Sequence, residues 1–237
     1  MINERIQELI NLAQNMGYIT YTNYLTPNDY LFFEDKYEDL IIKKSGKLRK
    51  MLAFVPNYFS ENDVIFPETL IKISVNNKFR KYTNKDFLGS IMGLNIDRKY
   101  IGDIFQIDDN IAYVYVENKV LDIICNNLTK IAKNTCEISI INEKIDLDFK
   151  YEIKKYTISS VRLDNIVSAI TGMSRTKAKE YIQFGLCKIN YDDCIDASKT
   201  IKEGSIISMK GYGRYIYSGI VKYSKKEKPV IEIKTFI

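Results

Sequence analysis

The sequence predicts an α+β protein built from more than one small domain, and three observations carry that prediction. Residues 70–142 alternate strand-like and helix-like patterns in the order β-α-β-β-α-β. Residues 162–190 read as helix, turn, helix, glycine stop and strand. Residues 2–16 repeat apolar side chains at helical spacing ahead of a mixed segment. With 237 residues, the chain has length for two or three such domains. The expected divisions are an N-terminal α/β domain at 1–67, a central domain at 70–150 and a C-terminal domain at 156–237.

In the first domain, Ile6, Leu9, Ile10 and Ala13 form the inward stripe of a helix that Gly17 ends. Thr26-Pro27 is a cap followed by a proline in the first turn, opening a short helix to about Phe33. Residues 40–56 are an apolar patch, the basic loop KKSGKLRK, and a buried strand MLAFV closed by Pro56. The loop concentrates Lys43, Lys44, Lys47, Arg49 and Lys50, and reads equally as a solvated turn or as a second phosphate contact. Residues 57–69 read as a linker.

The central pattern begins with the strand LIKISV and a helix from near Thr83 to Gly93. A strand near GDIFQI, a turn at Asp108-Asp109-Asn110 and the strand IAYVYVE follow. A helix is then expected from about Asn118 to Lys133, with Leu121, Ile124, Leu128 and Ile131 inward, before a closing strand CEISII. This is the split βαβ plan of ferredoxin-like domains. In IAYVYVE, Ala112, Val114 and Val116 alternate with Tyr113 and Tyr115, which puts the tyrosines on the face away from the helices. There they either stack on RNA bases or cover the sheet against another part of the chain.

Residues 143–157 link to the last domain with alternating apolar positions. Leu163, Ile166, Val167 and Ile170 then make one stripe, Gly172 ends the helix and Ser174 caps the next. Ala178, Tyr181 and Ile182 form the second stripe, and Gly185 is a left-handed stop. A turn at Asp192-Asp193, a return at Cys194-Ile195, the strand SIISMK after Gly204, a tight loop at Gly211-Tyr212-Gly213-Arg214, and two final strands joined by KKEK complete the chain.

Composition narrows the chemistry. The chain has no His, which removes Ser-His-Asp and Cys-His catalysis and most transition-metal sites. Cys125, Cys136, Cys187 and Cys194 show no paired spacing, so no zinc site and no other cofactor is expected. Cys187 and Cys194 flank a hairpin as candidate neighbours, with free thiols expected. No apolar run has membrane-spanning length and the N-terminus is not a signal peptide, so a cytoplasmic protein is expected. Asp108-Asp109-Asn110 is too short for a calcium loop and reads as a hairpin turn.

The net charge of +5 is unevenly placed: residues 153–237 hold 16 Lys and Arg against 8 Asp and Glu, and residues 1–152 hold 19 against 22. A basic C-terminal third on a slightly acidic body is the asymmetry of a nucleic-acid binder. Ser174 and Arg175 at a helix N-terminus combine free N–H groups, a positive dipole end and a guanidinium fork, the equipment for holding a phosphate. Arg162, Lys177, Lys179, Lys188, Lys210 and Arg214 extend that face, and Asn190 is a candidate reader of a sugar or backbone group. A structural helical hairpin with a solvated charged face is the bland alternative.

Arg162-Leu163-Asp164, Ser174-Arg175, Ala178, Ile182, Gly185 and Lys188-Ile189-Asn190, followed by Gly204 and Ile206, resemble the S4-type RNA-binding domain. The segment Thr83–Leu94 (TNKDFLGSIMGL), with Ile96, Arg98 and Ile101-Gly102-Asp103-Ile104, is similar to the middle region of the YlmH family of bacterial S4-domain proteins. That resemblance runs over essentially the whole chain. It implies a ribosome-associated factor that binds ribosomal RNA and a stalled peptidyl-tRNA on the large ribosomal subunit in ribosome-associated quality control, with a link to cell division. A monomer without catalytic residues is expected. Pseudouridine synthases carry a catalytic Asp in a similar Arg-Leu-Asp triplet, which makes an RNA-modifying enzyme acting through Asp164 the rival reading. Here the triplet lies inside the helix pair, where Asp164 can serve the helix start. A protein-interaction scaffold, for example in division, is the third.

Overall fold

Contacts in this computed structural model divide the chain into two units, Met1–Asp148 and Phe149–Ile237; residues 2–33, 37, 39–76 and 80–236 are described. In the first unit, α1 (Ile2–Met16) turns Ile6, Ile10 and Ala13 inward and ends at Gly17, whose φ of +69° is left-handed. β1 (Thr20–Tyr21) precedes α2 (Pro27–Tyr30), where the backbone N–H and hydroxyl of Thr26 meet the Asp29 carboxylate in a capping box. A 3₁₀ turn, Leu31–Phe33, follows. β2 (Leu40–Ser45) and β3 (Met51–Pro56) form a hairpin, and the sheet order is β1-β3-β2. Every residue of β3 is buried, with Leu52 and Phe54 packed with Ile6 and Ile10 of α1.

The same unit holds a second sheet. Its elements are β4 (Glu68–Val75), α3 (Asn84–Met92), β5 (Ile101–Gln106), β6 (Ile111–Glu117), α4 (Asn118–Asn127), β7 (Lys130–Ile131) and β8 (Asn134–Ile141). Neighbouring strands are antiparallel in the order β5-β6-β4-β8-β7. Ile71 and Ile73 of β4 with Ala112, Val114 and Val116 of β6 meet Phe87 and Ile91 of α3 and Val120 and Ile124 of α4. Two expectations need correcting. α4 stops at Asn127, where the Asn127 side chain donates to the Ile123 carbonyl (2.8 Å), rather than running to Lys133. Leu128 and Ile131 are still buried, but from an extended turn and from β7, which reverses at Ala132 with φ +54°. Leu121, read as inward, is only partly buried; Val120 takes the buried place. The turn after β5 is a plain hairpin, with the Asn110 N–H on Asp108 Oδ1 at 2.8 Å.

The second unit is one six-stranded sheet carrying two helices. Its elements are β9 (Tyr151–Thr157), α5 (Leu163–Thr171), α6 (Arg175–Gln183), β10 (Cys187–Ile189), β11 (Asp192–Asp193), β12 (Ile206–Met209), β13 (Gly213–Tyr223) and β14 (Pro229–Phe236). The strand order is β11-β10-β12-β13-β14-β9. The alternating segment read as a connector supplies β9, which pairs with β14 over its full length. The hairpin turn lies at Asn190-Tyr191, both with positive φ, rather than at Asp192-Asp193, which form β11. Such a two-residue turn matches strand twist, and Asn tolerates the left-handed conformation. Leu163, Ile166 and Val167 of α5 and Ala178 and Ile182 of α6 pack on Cys187, Ile189, Ile207, Met209, Tyr215, Tyr217, Ile231 and Ile233. Both helices therefore cover one face of the sheet. Cys187 and Cys194 are neighbours across the β10–β11 hairpin, with the Cys194 N–H on the Cys187 carbonyl at 3.1 Å, and both thiols are free. Burial, with a smaller contribution from Cys194, pushes the Cys187 thiol up to about 12.

Candidate nucleic-acid interface

The helix pair is set by local chemistry. Gly172 closes α5 in the left-handed region at φ +74°, and its N–H returns to the Ser168 carbonyl. Two residues later Ser174 opens α6, its hydroxyl accepting the Lys177 N–H at 3.3 Å. A cap of this kind stabilises a helix by about 1 kcal/mol. The apolar stripes turn inward, and Arg175, Lys177 and Lys179 are left exposed.

Asp164 changes the electrostatics of this end. It is fully buried. Arg162 holds it at two points, Nε to Oδ1 at 3.2 Å and Nη2 to Oδ2 at 3.0 Å, while Arg175 Nη2 reaches the same Oδ2 at 3.4 Å. Oδ1 also accepts the Asn165 N–H at 2.9 Å. Arg162, not Asp164, occupies the N-cap position of α5. The two arginines are thus side by side but partly neutralised: the trio carries one net positive charge. Each guanidinium keeps N–H groups beyond the carboxylate, because its donors form a planar fork of five. Lys177 and Lys179 have no ion-pair partner among the described residues.

The other sequence candidates fall elsewhere. Lys188, on β10, alternates with the buried Cys187 and Ile189 and so points to the face opposite the helices. Arg214 alternates with buried Tyr215 on β13 and shares that outer face, and Ser208 stands between them in register. Lys188 is paired with Asp193 at 2.9 Å. Lys210 lies exposed in the β12–β13 turn, whose carbonyl accepts the Tyr181 hydroxyl on the helix side at 2.6 Å. The expected single basic face is therefore two faces. Asn190 needs a further correction: it is buried, its Oδ1 accepts the Ile206 N–H at 2.8 Å and its own N–H meets the Ile206 carbonyl, so it pins the hairpin.

In the first unit, Tyr113 and Tyr115 do lie on the face of β6 away from α3 and α4, and both are half-buried. Tyr115 meets Phe105 edge-on, with 6.3 Å between ring centroids, and burial raises its phenol pKa. The basic loop reaches the same sheet. The Lys47, Leu48 and Arg49 N–H groups converge on the buried Asp103 carboxylate at 2.7, 2.9 and 3.1 Å. Arg49 is itself buried and donates to the Tyr24 carbonyl at 2.8 Å. This is the geometry of a backbone anion nest, filled by the protein's own carboxylate. The 47–49 amides are thus taken by the protein's own carboxylate, while the Lys47 side chain is exposed and Lys50 Nζ stands 4.7 Å from the buried Tyr30 ring centre.

Reading the sequence missed an aromatic group in the second unit. Phe149, Tyr151 and Phe236 form a cluster with centroids 5.0–6.3 Å apart. The signal was the aromatic spacing in Phe149-Lys150-Tyr151, obscured because the segment reads as a connector. Among the described residues no grouping of His, Cys, Asp and Glu could hold a metal ion, and no helix is long and apolar enough to cross a membrane.

Comparisons with known proteins bear on both units. Residues 61–146 match the family model described as "Putative RNA-binding domain in YlmH". The chain is 28% identical over 186 residues to the Ribosome-associated protein quality control protein P2 of Bacillus subtilis (strain 168), covering 76% of this chain and 70% of the relative. The fold is similar to that of the cell division protein ylmH from Streptococcus pneumoniae, with a TM-score of 0.52 and 23% identity over 61% of this chain and 93% of that one.

Proposed function

We propose that this chain, whose residues 61–146 match the model of the RNA-binding domain in YlmH, is a YlmH-type protein and a non-catalytic RNA-binding factor of ribosome-associated quality control. On this reading the β4–β8 segment is a ferredoxin-like RNA-binding domain, and the α5–α6 pair belongs to an S4-type domain. The protein works as a cytoplasmic monomer in three domains, bounded as the sequence suggests. Its target is ribosomal RNA and the peptidyl-tRNA of an obstructed large subunit.

The observation that carries this is the α5–α6 end, where Lys177 and Lys179 stand exposed on the helix whose first residue, Arg175, shares the Asp164 carboxylate with Arg162. Structured RNA is held there through phosphates, with the rigid helix pair supplying the shape. Catalysis by Asp164 finds no support in this geometry. A catalytic carboxylate must reach substrate, and this one is buried with both oxygens engaged.

The test uses Lys177→Glu with Lys179→Glu, because reversing Arg175 would set a second carboxylate beside buried Asp164 and confound binding with folding. Co-sedimentation of the tagged chain with free large subunits should be lost while the thermal melt stays put. The salt dependence of binding should flatten by roughly 0.7–0.9 in log–log slope for each phosphate contact removed. Unchanged co-sedimentation of the double variant would overturn the assignment.

A further inference from the structure

The first unit holds a cavity of about 690 Å³ that the helix-pair reading leaves without a role. Its walls come from α1, the chain around β1, the 3₁₀ turn Arg98–Tyr100 and the β6–α4 junction, all inside Met1–Asp148. Hydrogen bonds between the two halves of the unit fix these walls. The Tyr24 N–H meets the Lys99 carbonyl at 3.0 Å, Asn23 Nδ2 donates to Glu117 Oε1 at 2.7 Å, and the Tyr24 hydroxyl donates to Glu68. The Tyr24 ring lies so close over Gly102 that a Cβ there would stand 2.7 Å from it. The cavity is therefore preformed, and its size falls within the roughly 300–1,000 Å³ of small-molecule sites.

Two kinds of group meet in it. Arg5, Lys99 and Lys119 are cations of its lining, each with a carboxylate partner: Glu8 at 2.9 Å, Asp97 at 2.9 Å and Glu117 at 2.5 Å. The Arg5 and Lys99 pairs are open to water on both sides, with every side chain at least half exposed. Pairs so exposed are weakly held, and a phosphate with two charges competes for their cations. Lys119 stays on buried Glu117. The second kind is a set of acceptors. Asn23 is half-buried, and because its Nδ2 faces a carboxylate its Oδ1 orientation is fixed; that oxygen has no partner among the described residues. The Glu117 oxygens, beyond Asn23 and Lys119, keep lone pairs. Half-buried Leu9 and Tyr21 add apolar wall.

We propose that this cavity binds a single nucleotide, with its phosphate on Arg5 and Lys99 and the N–H groups of its base toward Asn23 Oδ1 and the Glu117 carboxylate. The site goes beyond the RNA-binding reading above and does not depend on the α5–α6 pair. A fatty acid would meet the cations but set hydrocarbon against the acceptors, which costs it their hydrogen bonds. A bare phosphate would leave most of the cavity unfilled. A nucleotide supplies the anion, the volume and the donors together. Guanine suits the acceptors best, because its N1–H and N2 amino group donate from one edge, whereas uracil has one N–H to give. The nucleotide is either free or the 5′-phosphorylated end of an RNA, and the same chemistry recognises both.

Isothermal titration calorimetry of the full chain with GMP, guanosine and UMP tests this. GMP should bind about tenfold or more tightly than guanosine, which lacks the charged hydrogen bonds, and more tightly than UMP. Arg5→Glu with Lys99→Glu changes only exposed side chains and should weaken GMP by about tenfold or more while leaving guanosine within about twofold. Leu9→Trp fills the cavity from α1 without adding charge and should abolish both; where it lowers the melting temperature, the Arg5 and Lys99 pair decides. Lys177→Glu with Lys179→Glu should leave GMP binding unchanged. A hexaribonucleotide beginning with 5′-phosphoguanosine separates the two sources: displacement of the hexamer by GMP assigns the cavity to an RNA end, and GMP binding without displacement assigns it to the free nucleotide. Binding of neither GMP nor the hexamer overturns the site, as does wild-type GMP affinity in the Arg5 and Lys99 variant. Guanosine binding as tightly as GMP overturns the phosphate contacts, and UMP binding as tightly as GMP overturns the base contacts. Loss of GMP binding in the Lys177 and Lys179 variant moves the nucleotide to the helix pair and overturns the cavity while leaving the helix-pair reading intact.

Discussion

Each unit of this chain has a basic stretch that closes on a buried aspartate, and the two do so with different groups. At Lys47–Arg49 the donors are three backbone N–H groups, which carry no net charge, and the Lys47 side chain is left outside. At Arg162 and Arg175 the donors are the charged side chains themselves. The first arrangement leaves the Lys47 ammonium outside and has Asp103 held mainly by backbone dipoles, with Arg98 a lesser charge. The second gives Asp164 full counter-charge and takes part of the cationic field away from the surface. A cluster of Lys and Arg in a sequence is thus no measure of free positive charge. What matters is which atoms of the cluster face the carboxylate.

The largest effect should come from breaking the charged arrangement. Asp164→Ala leaves two guanidiniums crowded together and the Asn165 N–H without its acceptor. Loss of a buried ionic partner costs about 3–5 kcal/mol, and the partly exposed arginines put this case near 3. Urea unfolding of the variant should show that loss. An unchanged midpoint would mean that water substitutes for the carboxylate and that the two arginines do not depend on it.

Asp103→Asn makes a smaller change to the neutral arrangement. The amide offers one oxygen where the carboxylate offers two, so one of the three N–H groups faces another donor, at about 1–2 kcal/mol. The pH dependence sharpens the contrast. Burial pushes the Asp103 carboxyl up, and the Leu48, Lys47 and Arg49 N–H groups recover only part of the shift, helped weakly by Arg98. A carboxyl with a raised folded pKa binds its proton more tightly in the folded state. Its stabilising contribution is complete below about pH 4, the ordinary Asp value, and is lost as pH rises through the folded pKa. The stability gap between wild type and Asp103→Asn should therefore narrow as pH rises from about 4. A gap that widens would mean that the three dipoles outweigh burial.

The same contrast explains what the sequence could and could not reveal. The α5–α6 pair was legible because its determinants are local: a stripe at helical spacing, a left-handed glycine and a serine cap within a dozen or so residues. The β-α-β-β-α-β order of β4–β8 was legible for the same reason. The inward use of the 47–49 amides was not, because Asp103 lies 54–56 residues further along. The division of the cations into two faces was also hidden. Arg214 and Lys188 become neighbours of one row only when β10, β12 and β13 pair, and no spacing within one strand reports that. β9 was misread because alternation in a charged edge strand resembles a connector until β14 arrives to pair with it. Asn190 looked like a surface polar group because its partner, the Ile206 N–H, also comes from a distant strand.

The smallest effect separates a loop's amides from its side chains. Lys47 donates its backbone N–H to Asp103, while its Nζ makes only a 3.9 Å contact with Asp148, both side chains about half exposed or more. Exposed pairs of this kind contribute roughly 0–1 kcal/mol and are screened by salt. Lys47→Ala keeps the N–H and the turn and removes only the ammonium. Its melting should stay within about 0.5 kcal/mol of wild type. If the loop's lysines also reach RNA phosphate, the same variant lowers the salt slope of binding by up to about 0.9, one phosphate's worth, with no change in folding. A stability loss larger than about 1 kcal/mol would show that the side chain helps to close the loop, and that the division between inward amides and outward cations does not hold.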